Sequence, residues 1–159
     1  MPILKIFIMK KNVLSIVFVL FVALSINAQK YEYKIVTSVE SIIPNGLGRS
    51  RLLSSNEARN YKDFTSSRTE ENDKRNKSSR SEIRVKNFDE TKLLNFFNLG
   101  GIRFQNIVAN DAVITSKINT MIEEGWDLAF VNSGTESYGG KGDKNGIFIT
   151  RFIFRRLKK

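Results

Sequence analysis

The chain has no cysteine and no histidine. Without cysteine there are no disulfides, no thiol nucleophile and no thiolate metal site. Without histidine, the side chain that titrates nearest neutral pH and the commonest metal ligand are both missing. A serine nucleophile would then need a lysine base, and no Ser-x-x-Lys helix start stands out among the serines at 54, 55, 66, 67, 78 and 79. What remains for chemistry is carboxylates. Glu123, Glu124 and Asp127 are near one another in sequence, but general acid–base work needs carboxylates that face each other across a cleft. Glu123 and Glu124 would diverge by about 100° on a helix, which favours solvated carboxylates.

Acidic residues are also the scarcer charged class. Against 26 Lys and Arg stand 16 Asp and Glu, a formal charge of +10. Three of those lysines, Lys5, Lys10 and Lys11, lie before an apolar run from Val13 to Leu24, and the run ends in Ser25-Ile26-Asn27-Ala28. This is the order of a signal peptide: basic start, short apolar segment, small residue at the cut. Residues 1–28 are therefore expected to be an export leader, with Met9 a second candidate start. The alternative is an uncleaved anchor, but a spanning helix needs roughly 20 apolar residues, more than this run supplies. No cysteine follows it to carry a lipid. The remainder keeps a charge of about +7, which suits an anionic glycan or lipid, or a basic protein with no polyanion partner.

Residues 29–159 are expected to form a single α+β domain. Gln29–Val39 alternates, with Tyr31, Tyr33, Ile35 and Val39 against Glu32, Lys34, Val36 and Ser38, and predicts a strand with the first set buried. Pro44-Asn45-Gly46 is turn chemistry, and Arg49–Ser54 reads as a short return strand. Residues 55–86 are charged and poor in aliphatics. That excludes a buried element and leaves a disordered loop or an exposed helix opened by a Ser67/Glu70 capping box. Tyr61 and Phe64 are the candidates to pin the segment to the body.

Asn87 with Glu90 predicts a helix start, with Leu93, Leu94, Phe96 and Phe97 as its stripe over 88–98 and Gly100-Gly101 as its end. Ile102–Ile107 reads as extended. The clearest helix spans about 111–124, capped by Asn110 or Asp111, with Ile114, Ile118 and Ile122 recurring every fourth residue. Gly125 follows where a left-handed cap belongs. A strand starts at Trp126, with Trp126, Leu128 and Phe130 on one side. Asn132–Gly146 reads as a long connection, and a last strand runs from Ile147 to Arg155 with apolar residues on both faces.

Three of these segments carry a resemblance. Tyr31-Glu32-Tyr33-Lys34-Ile35-Val36, Glu124-Gly125-Trp126-Asp127-Leu128 and Phe152-Ile153-Phe154-Arg155-Arg156 resemble a short bacterial domain of unknown function whose members read YEYKVV, then EGWEL, then a closing strand ending in a basic residue. The resemblance covers about residues 30–40 and 111–157, and 41–110 have no counterpart in the short version. The Pro44–Arg51 turn and the Asn95–Gly101 segment resemble longer exported hypothetical proteins of bacteria. The resemblance implies a fold and no catalytic residue. Gly125 and Trp126 are structural in this reading, the glycine reversing the chain and the indole offering apolar surface to the helix.

Two loop motifs fail on chemistry. In Gly134–Gly142, Gly142 stands where a phosphate loop needs Ser or Thr, and the segment joins two strands instead of opening a helix. Asp143-Lys144-Asn145-Gly146 echoes a calcium loop, but Lys141 and Phe152 occupy ligand positions. Neither a metal nor a cofactor is expected. Arg49, Arg51, Arg84, Lys86, Arg151, Arg155 and Arg156 could gather into one basic surface, with Arg49, Arg51, Arg151, Arg155 and Arg156 its core. Exposed stacking aromatics interleaved with them, as nucleic-acid binding needs, are missing. The expectation is a small, mainly antiparallel sheet of three to five strands with the helix on one face. It would serve a non-catalytic envelope protein that acts by binding or assembly. The alternatives are a carboxylate hydrolase of envelope polymers and a polyanion-binding protein.

Overall fold

The computed structural model describes residues 30–41, 50–98, 100–137 and 146–158. The expected leader, Arg49 and most of the Pro44–Arg51 turn lie outside them, as do residues 138–145 with most of the calcium-like motif. The chain divides into two compact units, Met1–Tyr31 with Leu157–Lys159, and Glu32–Arg156. In the first, Lys158 N–H donates to the Lys30 carbonyl at 2.8 Å.

The body of the second is a five-stranded antiparallel sheet and one long helix, an α+β fold. The main strands are β1 (Tyr31–Ser41), β2 (Arg51–Ser55), β5 (Phe88–Lys92), β8 (Asp127–Glu136) and β9 (Ile147–Leu157). They lie in the order β5-β2-β1-β9-β8. Short hairpins β3–β4 (Ser67–Arg68, Asp73–Lys74) and β6–β7 (Phe97–Asn98, Gly101–Ile102) flank a single helical turn α1 (Arg80–Ile83), and the long helix α2 runs Phe104–Glu123.

The core is Val36, Leu52, Leu93, Met121, Trp126 and Phe154, with Val113, Ile114, Ile118 and Phe152 packed against it. Val113, Ile114, Ile118 and Met121 sit at helical spacing on α2, so burial of one helix face organises the domain. Ile122, at the edge of the expected stripe, is exposed. Gly125 ends α2 at φ +82°. Its N–H donates to the Ile122 carbonyl and Trp126 N–H donates to that of Met121, the double closure of a Schellman cap. Trp126 is thereby turned under the helix and buried.

The structure corrects several expectations. The helix starts at Phe104, seven residues before Asp111, so of the expected extended stretch Ile102–Ile107 only Ile102 lies in a strand. Asn110 is not its cap but a buried interior residue, 2% exposed. Its amide accepts from Leu94 N–H and donates to the Leu94 carbonyl, both at 2.7 Å, and to a Glu40 carboxylate oxygen at 2.9 Å. A polar residue with those partners is stable mid-helix, and its need for them is what looked like a helix start. The expected 88–98 helix is instead the edge strand β5 followed by irregular chain, because the outer edge of β2 needs backbone partners and Phe88–Lys92 supplies them in register from Ser55↔Phe88 to Arg51↔Lys92.

Residues 56–87 are neither one helix nor featureless. They leave and rejoin the sheet at paired residues, with Asn56 N–H on the Asn87 carbonyl at 3.1 Å. Polar contacts hold them. The capping box lies at Ser79/Glu82, not Ser67/Glu70, and Asp73 pairs with Arg68 across β3–β4. Tyr61 is exposed and pins nothing.

Candidate functional site

In a strand, neighbouring side chains point to opposite faces. On β1 Val36 and Ser38 are buried, as is Ser41 at the strand's end, while Tyr33 is 58% and Ile35 47% exposed. The expected inside of β1 is therefore its outside. Both sets contain apolar residues, so alternation alone could not say which one the helix covers. Val36 and Ser38 win because they sit opposite Ser54 and Leu52, which share the helix side.

A bulge makes a second inversion. Between Leu128 and Phe130 the β8–β9 register slips, so Leu128 lies opposite Phe154 but Phe130 lies opposite Ile153. One extra residue re-aims everything after it. Phe130 is thus on the open face, 61% exposed, instead of beside Trp126.

Following these registers across the sheet, the helix-free face carries Tyr33 and Ile35 from β1, Phe88 from β5 and Phe130 from β8, all exposed. Between them lie half-buried Leu53, Ile149 and Ile153. Of these, the sequence reading put Tyr33 and Ile35 on the buried side of the first strand and grouped Phe130 with Trp126 and Leu128. The signal of a second apolar face was present in β9, where Ile147, Ile149 and Ile153 oppose the phenylalanines.

The candidate basic residues separate across the sheet. Arg51, Arg151 and Arg155 fall on the open face by register. Arg51 is in an ion pair with Glu90 from the neighbouring strand, and Arg155 lies opposite Asp127. Arg156 points to the helix side, where its guanidinium stacks 4.2 Å from the Trp126 ring centroid and pairs with Glu32. It braces the Gly125–Trp126 corner. Arg84 and Lys86 belong to the excursion, and the Arg84 carbonyl accepts from Arg59.

Among the described residues, depressions flank the sheet at two places. One, of about 510 Å³, lies along the far end of β8–β9 and is lined by residues 132–136 with Ile147, Ile149 and Arg151. Among the described residues its lining holds one carboxylate, Glu136, whereas hydrolysis by two carboxylates needs a facing pair. Glu123 and Glu124 end α2, and Asp127 begins β8. The other, of about 470 Å³, runs between α2 and β2–β5, floored by Leu52 and Thr91 and walled by Ala112, Ser116, Lys117 and Thr120. Among the described residues no three His, Cys, Asp or Glu side chains are grouped to hold a metal ion, and no helix is long and apolar enough to cross a membrane.

At Glu57 the surroundings shift the carboxylate's titration. At the root of the excursion Glu57 receives Asn87 N–H and pairs with Arg59. Desolvation pushes its pKa up, but the Asn87 hydrogen bond and the Arg59 contacts outweigh that, so the value lies below 4.5. The role is structural: it staples the two ends of the excursion. No family model, curated protein or solved structure matches the chain.

Proposed function

We propose that this is an exported, non-catalytic protein of the cell envelope that works by binding or assembly, and that the helix-free face of its sheet is the working surface. One observation carries the reading: an exposed apolar set of Tyr33, Ile35, Phe88 and Phe130 spans the sheet. Isolated apolar side chains on a surface are ordinary, but a contiguous patch rimmed by polar groups marks an interaction site. The leader-like order of residues 1–28 supports export. In the test, the protein is incubated with washed envelope fragments and sedimented. Retention should drop when Phe130→Asp or Tyr33→Asp places a charge on the face. Release of product from purified peptidoglycan or polysaccharide, lost on Glu136→Gln or Asp127→Asn, would replace this reading with the hydrolase.

A second reading has its own observation. Residues 56–87 project nine Lys or Arg against six Asp or Glu, nearly all exposed, a composition that attracts an anionic glycan or lipid headgroup. Such binding weakens steeply as salt rises; salt-independent retention excludes it.

A further inference from the structure

The apolar face has a size and a charge balance that point to its occupant. Three strands of ten or eleven residues and two of five make up the sheet. At ~3.3 Å per residue and ~4.8 Å between strands, they spread over roughly 650 Å² in projection. Two such faces in contact would remove roughly 1,300 Å² or more of surface, above the ~1,000 Å² that a specific protein interface needs.

Charge separates the candidate occupants. The chain as a whole is +10, which would repel a second copy if the charge lay here. It does not. By register the open face holds Arg51, Lys92, Arg151 and Arg155 against Glu90, Asp127 and Glu136, a net of about +1. Arg51 is already paired with Glu90, and Asp127 stands opposite Arg155. The excess cations reside elsewhere, many of them on the excursion. A nearly neutral face that carries exposed apolar side chains does not select an acidic partner and does not repel a second copy.

We infer that the helix-free face is covered by the same face of a second copy, in a two-fold dimer of stacked sheets. Two sheets pack with their inner side chains interdigitated and their planes about 10 Å apart. Tyr33 and Phe130, on strands separated by β9, are the large side chains available to interlock, and aromatic anchors at an interface centre carry most of its energy. A two-fold operator requires one patch to meet itself, which a neutral apolar patch permits and a cationic one would not.

The inference rests on the binding-or-assembly reading and commits it to self-assembly. The test is sedimentation velocity on the protein as recovered from the envelope fraction of its producing host, across the micromolar range. The expected result is a species of twice the chain mass that collapses to a monomer in Tyr33→Asp and in Phe130→Asp. Both sites are exposed, so both variants should keep their circular dichroism and melting transition, which is checked alongside. Val131→Asp is the discriminating control. Val131 is exposed on the same edge strand but lies opposite Phe152 on the helix side, so stacking through the open face leaves it a dimer. A wild-type monomer throughout the range overturns the inference. So does a dimer that survives both open-face charges, or one that Val131→Asp also dissociates, since that dimer is joined through the β8 edge. A monomer that still sediments with envelope fragments through Tyr33 and Phe130 leaves the binding reading standing without self-assembly; one that does neither removes both.

Discussion

Asn110→Ala should be among the most damaging substitutions in this protein, although the residue looks from its sequence like a replaceable cap. Its side chain makes three hydrogen bonds that tie the middle of α2 to the chain at Leu94 and to Glu40 near the end of β1. The residue is 2% exposed, so water cannot take over these bonds without opening the contact. Each neutral hydrogen bond contributes about 1 kcal/mol net, and one to a charged acceptor about 1.5–3. The orphaned Leu94 groups add desolvation, while alanine returns some of the loss through helix propensity, roughly 0.5 kcal/mol. The balance is a loss of at least about 3 kcal/mol. Against a total of 5–15 kcal/mol for an ordinary domain, that is a large fraction. Urea unfolding followed by circular dichroism measures it.

The companion variant Asn110→Asp tests the mechanism. One carboxylate oxygen can still accept from Leu94 N–H, but the other would face the Leu94 carbonyl and the Glu40 carboxylate. Only the protonated acid can donate there, so the folded-state pKa of the new side chain would be raised. Its destabilisation should be smallest below about pH 4, where the acid is protonated in both states, and grow as pH rises above that. A loss under about 1 kcal/mol for Asn110→Ala, or a pH-independent loss for Asn110→Asp, would refute the argument that these contacts hold the helix in place.

Other perturbations separate the two faces and the two glycines. Phe154→Ala, at a fully buried site, should cost about 3–5 kcal/mol by urea unfolding, whereas Phe130→Ala on the open face should change monomer stability by less than about 0.5 kcal/mol. Gly125→Ala should cost about 1 kcal/mol or more from the positive φ alone, since nothing lies within 4 Å of the added methyl; Gly134→Ala, in extended chain with the same open space, should be neutral or stabilising. Limited trypsin digestion should cut first within residues 59–86, where Arg68, Lys74, Arg75, Lys77 and Arg80 are exposed. The Glu57 staple, with its pKa held below 4.5, contributes above that pH and is lost as pH falls through the lowered value. Protection of the Asn56 and Asn87 amides, relative to the intrinsic exchange rate at each pH, should therefore fall in acid, and Glu57→Gln should remove that pH dependence.

Local rules read the end of α2 and the start of a strand after it, but not the bulge that turns Phe130 to the other face or the strand's run to Glu136, where a connection from Asn132 was expected. Gly125 takes the left-handed conformation where the helical stripe stops, and Trp126 is buried beneath it, because a cap and an aromatic knob are decided within one turn of chain. The α+β class was legible for the same reason: periods of two and of nearly four are properties of the chain itself. The identity of the covered face was not. Tyr33 and Ile35 alternate as well as Val36 and Ser38 do, and which set meets α2 depends on strands that arrive from other parts of the chain. Asn110 and Phe88–Lys92 repeat the lesson, since a buried amide and an edge strand both answer backbone groups that local sequence does not contain. The open face arises from two such long-range decisions, the choice of side on β1 and the single-residue bulge before Phe130. Sequence alone supplied its apolar residues, and only the tertiary fold turned them to solvent.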